Sequence, residues 1–189
     1  MKRIVLASAS PRRLQLVAEA GWSVEVEVSA AEEIEDHSLP PEVLALENAK
    51  RKWRVIAERR PEDLIVAADT VVWFGGRFFG KPANIDEARV MLGSLVGRTH
   101  EVVTGVVVGN HSNCREFAEH SLVTFHDLNR QGVEDYISSI NPLDKAGGYA
   151  AQDDGGRLIA NIEGSLSNVI GLPMERLSEV LREFQRLQE

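Results

Sequence analysis

Residues 64–82, LIVAADTVVWFGGRFFGKP, constrain the fold of this chain more than any other stretch. An apolar run, 64–68, delivers Asp69 and Thr70, and Gly75-Gly76 folds the chain back toward Gly80-Lys81-Pro82. A strand that buries such a run and then presents a carboxylate carries that acid to the edge of a sheet, where open α/β sheets place their ligands. The hairpin then returns a lysine to the same end. A general base and a phosphate-holding cation are the smallest set of groups for phosphate-ester hydrolysis. The same letters also read as a turn or capping Asp followed by a hairpin with a solvent-facing lysine.

The rest of the chain bears on that choice. At 189 residues, 43% hydrophobic and 26% charged, it suits one domain (1–189) with a sizeable core. A formal charge of -8 argues against a broad nucleic-acid surface but leaves room for a small polyanion at locally focused cations. One cysteine, Cys114 in a polar hairpin tip, excludes an intrachain disulfide and fits a reducing, cytoplasmic compartment. The apolar run at residues 4–7 is too short for a signal segment or a membrane span. Five histidines (37, 100, 111, 120 and 126) show no metal-ligand spacing and read as structural or surface groups.

Residues 2–7 read as a first strand running into SASPRR, with Ser10 as N-cap, Pro11 as first helical residue and Gly21 as the stop. That helix start carries Ser8, Ser10, Arg12 and Arg13. Arginines in a first turn oppose the helix dipole, so the pair reads either as a phosphate site or as solvated surface charge. SVEVEVS (23–29) alternates like a strand with one wet face and leads into an acidic loop, 30–36. One carboxylate of that loop reads as a Mg²⁺ ligand, since Mg²⁺ at phosphate sites takes only one or two from protein. Residues 40–60 form the longest expected helix, striped by Leu46, Ala49, Trp53 and Ile56, with Asn48 and Lys52 one turn apart beside the stripe.

Helices are expected over 86–96, 132–140 and 174–187, and strands over 101–109, 115–126 and 158–162. Between them, NPLDKAGGYAAQDDGGR (141–157) has four glycines and no periodicity. Lys145, Gln152 and those glycines suit a loop closing over a ligand, with a plain surface loop as the alternative. Residues 163–173 read as a second turn-rich segment.

Together LASASPRR (6–13), AADTVV (67–72), GKP (80–82), the G-x-x-H-x-V-x-T-G-V pattern of residues 97–106, PLDKAGGYAAQ (142–152) and IEGSLSNVIGLP (162–173) resemble the Maf family of nucleoside-triphosphate pyrophosphatases, relatives of the inosine triphosphatase superfamily. The resemblance spans nearly the whole chain. It implies an α/β fold, a long twisted mixed sheet flanked by helices with two lobes around a central cleft. It implies metal-assisted hydrolysis between the α- and β-phosphates, with a divalent cation, Mg²⁺ or Mn²⁺, as cofactor. Asp69 matches the proton acceptor, and Ser8, Arg12, Arg13, Lys52, Lys81 and Lys145 the phosphate-holding set. Glu33, chosen over Glu32, joins Asp69 as metal ligand. Arg12, Thr70 and Gln152 match positions that choose the base, and the GGYAAQ form of the late loop resembles the dTTP/UTP branch. A triphosphate carries about four negative charges, which an unpaired site would not accept, and four cations with a metal resolve that.

Three positions depart from the family pattern: Ala31-Glu32-Glu33 in the acidic loop, Trp53 where a small residue is usual beneath Lys52, and Asp153-Asp154 adding charge beside Gln152. The expected partner is a nucleoside triphosphate, with no nucleic acid and no membrane; monomer and homodimer both remain open. The alternatives are a nucleotide-binding regulator of septum formation with little catalysis, or the same chemistry on 7-methyl-GTP or modified nucleotides.

Overall fold

A central strand, β3 (Leu64–Phe74), organises the architecture in the computed structural model, which describes residues 3–152 and 154–186. Lys2, Asp153 and Leu187 of the expectations above lie outside the described residues. Before β3 come β1 (Ile4–Leu6), α1 (Pro11–Glu19), β2 (Val24–Val26) and α2 (Pro41–Arg59). After it come β4 (Arg77–Phe79), α3 (Ile85–Leu95), β5 (Thr99–Asn110), β6 (Asn113–Phe125), α4 (Arg130–Ser139), β7 (Ile159–Glu163), α5 (Leu166–Ile170) and α6 (Met174–Arg186).

Local chemistry sets most of these boundaries. Ser10 caps α1 by accepting from the Arg13 N–H, and Pro11 occupies the first turn, where no intrahelical donor is needed. Asn84, Asn129 and Ser165 cap α3, α4 and α5 in the same way. Gly75 and Gly76 both take positive φ, 58° and 80°, which lets a two-residue hairpin follow the strand twist into β4.

The seven-stranded sheet has the order β2-β1-β3-β5-β6-β7, with β4 added beside β3. β1 is parallel to both β2 and β3, and the remaining pairings are antiparallel. The mixed α/β sheet with flanking helices is therefore the fold class read from the sequence.

Alternation along β3 divides the core. Ile65 and Ala67 face α2 and pack with Ala49, Trp53, Ile56 and Val107. On the other face, Leu64, Val66 and Ala68 join β1, α1 and α6, while Val72 joins α3, α4 and Tyr149. Between these two apolar cores lies a polar seam, Thr70 bonded to Thr104.

Three expectations change. The apolar run does not end at Asp69: β3 continues to Phe74, so the acid sits mid-strand, paired with Gly105 of β5. Apolar residues resume at Val71 and Val72, and the strand propagates through a single polar pair. Residues 163–173 contain the helix α5, nucleated by the Ser165 cap, rather than turns alone. β2 is shorter than the alternation predicts, and Val26 and Val28 stay exposed because β2 is the last strand of the sheet.

Candidate active site

The site forms where β3 lacks a strand on one side. β1 pairs with Leu64, Ile65 and Val66, and β4 with Val72, Trp73 and Phe74. Residues 67–71 between them have no strand partner on that side; Arg13 of α1 reaches Thr70, and Lys52 joins Glu33 of the acidic loop to Asp69.

Asp69 points to the α2 side and is buried, 8% exposed. Its Oδ1 accepts from Lys52 Nζ at 2.6 Å and its Oδ2 from Asn48 Nδ2 at 3.3 Å. Lys52 Nζ also meets Glu33 Oε1 at 2.7 Å, so one ammonium holds the two carboxylates that the sequence nominated as metal ligands. Burial alone pushes the Glu33 carboxyl up, but Lys52, then Lys81 and Arg13, outweigh it and hold the group below its ordinary value. The close fit of α2 has a backbone cause. A Cβ on Gly105, the strand partner of Asp69, would lie 2.4 Å from the Ala45 carbonyl carbon, so only glycine lets the helix approach this near.

One residue on, Thr70 points to the opposite face. Its Oγ1 accepts from Arg13 Nη2 at 3.0 Å, lies 2.9 Å from Thr104 Oγ1 and donates to the Gly171 carbonyl at 3.3 Å. Arg13 is clamped further: Nε donates to the Gly171 carbonyl at 2.8 Å and Nη1 to Ser8 Oγ at 3.3 Å. Burial lowers the Arg13 pKa, with the Asp69 charge acting against that shift. The arginine pair in the first turn of α1 is therefore split. Arg13 is built into the seam, while Arg12 reaches the late loop, with Nη1 3.6 Å from Asp144 Oδ2.

Lys145 is buried, its Nζ donating to Asp144 Oδ1 at 2.6 Å and to the Asn141 carbonyl at 2.8 Å. Asp144 thus joins Lys145 to Arg12, and these cations, after the opposing effect of burial, hold its carboxyl below the usual range. The loop around them is packed in place rather than draped over the surface. The Gly147 N–H donates to the Gly80 carbonyl at 3.0 Å, tying the loop to the hairpin that carries Lys81. The Tyr149 hydroxyl lies 2.9 Å from His100 Nε2, and the Ala150 N–H donates to the Tyr136 hydroxyl at 3.1 Å. Lys81 itself is exposed, near enough to influence Glu33. Gln152 is exposed too, and among the described residues no hydrogen bond joins it to Arg12 or Thr70.

Two departures resolve into structure. Asp154 is buried, and its carboxylate accepts the N–H groups of Leu158 at 2.9 Å and Ile159 at 3.0 Å, capping the entry to β7. Trp53 packs in the α2 core and donates to the Gly109 carbonyl at 3.2 Å, near the far end of β5. Cys114 lies in β6, half-buried, where burial raises its thiol pKa and keeps it protonated. The sequence reading passed over Asn48, Thr104 and Asp144 as functional candidates. An asparagine buried beside an apolar stripe, one turn before the chosen lysine, was the available signal for the first.

Among the described residues, no group of three or more His, Cys, Asp or Glu is placed to hold a metal. Glu33 and Asp69 converging on one ammonium do fit a hard divalent cation that takes one or two protein carboxylates and completes its shell from substrate and water. Two surface hollows of about 300 and 260 Å³ share Leu128 and lie against α4, away from these groups. Side-chain chemistry rather than concavity locates the site.

The arginines, lysines and two carboxylates of this α/β protein gather beside a stretch of β3 that has no strand partner on one side. The family model described as Maf-like protein matches residues 3–184, and the chain belongs to that family. A Bacillus cereus (strain G9842) protein named dTTP/UTP pyrophosphatase is 40% identical over 184 residues, 97% of this chain and 96% of that relative. A Gloeobacter violaceus protein of the same name is 41% identical over 184 residues, 97% of each chain. No helix among the described residues is long and apolar enough to cross a membrane.

Proposed function

We propose that this chain hydrolyses nucleoside triphosphates, dTTP and UTP foremost, to the monophosphate and pyrophosphate. The observation that carries the reading is Lys52 held between Asp69 and Glu33, at 2.6 and 2.7 Å, in a chain whose relatives bear that name. An acid in a buried polar network, beside cations not all committed to the fold, is suited to accept a proton while phosphate charge is neutralised around it.

In this reading Asp69 takes a proton from the water that attacks the α-phosphorus, the bond to the bridging oxygen breaks, and pyrophosphate leaves with that oxygen. Lys52 keeps the Asp69 carboxylate oriented and balances its charge. Arg13, fixed by Ser8, Thr70 and Gly171, grips a phosphate from a set position. Arg12 and Lys145 exchange Asp144 for substrate phosphate, and Lys81 adds charge from the hairpin. Glu33 and Asp69 would hold the divalent cation, Mg²⁺ or Mn²⁺, which when bound offsets charge on the leaving pyrophosphate. Arg12, Thr70 and Gln152 select the base; Gln152 joins the others once the ligand lies between them.

One sheet passes through all three cores, which supports reading 1–189 as a single unit. Its substrates and lone cysteine support a cytoplasmic location. The test is pyrophosphate release from dTTP, UTP, CTP, GTP, 7-methyl-GTP and ITP with Mg²⁺ or Mn²⁺, beside Asp69→Asn. Turnover concentrated on dTTP and UTP, and reduced about 10³-fold in the folded variant, is expected. Nucleotide binding without pyrophosphate release by the wild type would make the protein a regulator instead.

A further inference from the structure

Asn48 lies on the apolar face of α2 and is 3% exposed. Its Oδ1 accepts the Ile34 N–H at 2.6 Å, while Nδ2 donates to the Ile34 carbonyl and to Asp69 Oδ2, each at 3.3 Å. An amide that brackets both backbone groups of one residue acts on it as a neighbouring strand would, fixing position and orientation together. The residue so fixed is the immediate neighbour of Glu33. Lys52, one turn further along the same helix, closes the circuit by meeting Glu33 and Asp69. Acidic loop, helix and strand are thereby locked through two side chains of α2. The loop itself has no regular secondary structure over residues 30–36, so its placement depends on such ties.

We propose that Asn48 is a positioning residue that sets the spacing and orientation of Asp69 and Glu33, and through them the affinity for the divalent cation. The inference rests on the reading that these two carboxylates serve a metal-assisted pyrophosphatase. Asn48 touches no substrate; it acts through the carboxylates and the backbone of the loop. A merely structural buried asparagine would stabilise α2 without governing what the loop binds.

The test uses the full chain with Asn48→Leu, which keeps the branching and heavy-atom count of the side chain and removes all three bonds, and Asn48→Ala should the first fold poorly. Trp53→Phe, on the same helix as Asn48, removes the hydrogen bond to the Gly109 carbonyl of β5 and trims the packing of the indole, and is the stability control. Thermal melting, amide exchange across residues 30–36, Mn²⁺ binding to the nucleotide-free protein, and kcat and KM for dTTP are measured on each. In the Asn48 variant, exchange at Ile34 is expected to rise and Mn²⁺ affinity to fall, each about tenfold, and kcat to fall about tenfold or more with KM changed far less. Trp53→Phe is expected to lower the melting temperature and leave Mn²⁺ affinity intact. Wild-type Mn²⁺ affinity or wild-type Ile34 exchange in the Asn48 variant overturns the inference, as does an equal loss of affinity in Trp53→Phe. If the wild type binds Mn²⁺ and protects Ile34 yet hydrolyses no triphosphate, the proposed activity fails while binding and exchange still judge Asn48.

Discussion

Asp69 and Thr70 leave the same strand in opposite directions and meet different surroundings. On the α2 side the acid faces an ammonium, a second carboxylate and an amide, in a network whose charges are mutual and exchangeable. On the α1 side the hydroxyl, Thr104, the Gly171 carbonyl and the Arg13 guanidinium form a clamp closed among protein groups. The first arrangement gives up partners to a ligand at little cost, because an incoming cation or phosphate replaces charge with charge. The second holds one arginine still. An exchangeable charge network and a fixed clamp are thus separated by the thickness of one strand.

The sharpest way to break this comparison after Asp69→Asn is Lys52→Met. It leaves Glu33 and Asp69 facing each other without a cation, and activity should fall about 100-fold, within the range for losing an electrostatic partner at a reacting group. The melting temperature should fall as well, and Mn²⁺ should restore more of it than it adds to wild type, since the metal replaces the ammonium. Absence of that restoration in melts with and without Mn²⁺ would show that the carboxylates do not share a cation site.

Thr70→Val should act on the other face and more gently. It removes the acceptor for Arg13 and strands Thr104, costing about 1 kcal/mol of stability by melting. In steady-state kinetics KM for dTTP should rise about tenfold and kcat much less, because grip is loosened while the base is untouched. A drop in kcat matching Asp69→Asn would erase the distinction between the faces.

The smallest effect on turnover is expected at His100, further along the Thr70 side. Burial holds its pKa down to about 4, and its Nδ1 has no partner among the described residues, so the folded protein keeps the ring neutral. The unfolded chain protonates near 6.5, so the stability this adds is fully present above that pH and is lost as pH falls toward about 4, about 3 kcal/mol in all. Chemical denaturation across that range should show the loss in wild type and a flatter profile in His100→Asn. Turnover at neutral pH should be nearly unchanged in that variant.

Much of this was legible in the chain. Ser10-Pro11 marked the start of α1 and Gly75-Gly76 the hairpin, because capping and positive φ are local demands met by particular residues. Asp69, Lys52 and Arg13 stood out for the same reason: charged groups at the ends or flanks of apolar patterns need partners. The capping role of Asp154 was not legible, because a carboxylate that caps the next strand is spelled no differently from one at a binding loop. Asp144 was passed over because its partners, Arg12 and Lys145, come from distant and adjacent sequence, and only their meeting gives it a role.

The sequence alone determined most of the elements and their order, α5 excepted, the sheet with its covering helices, and the set of charged groups to be housed. These follow from short-range periodicity, capping and the need to bury apolar faces. Only the tertiary structure decided that neighbouring Asp69 and Thr70 point to opposite faces of β3, that Arg12 and Arg13 part company, and that Asn48 ties a loop to an acid across α2. Those outcomes depend on register and on how closely α2 settles over Gly105. Register and approach are fixed by the packing of the whole sheet, which no single stretch of the chain contains.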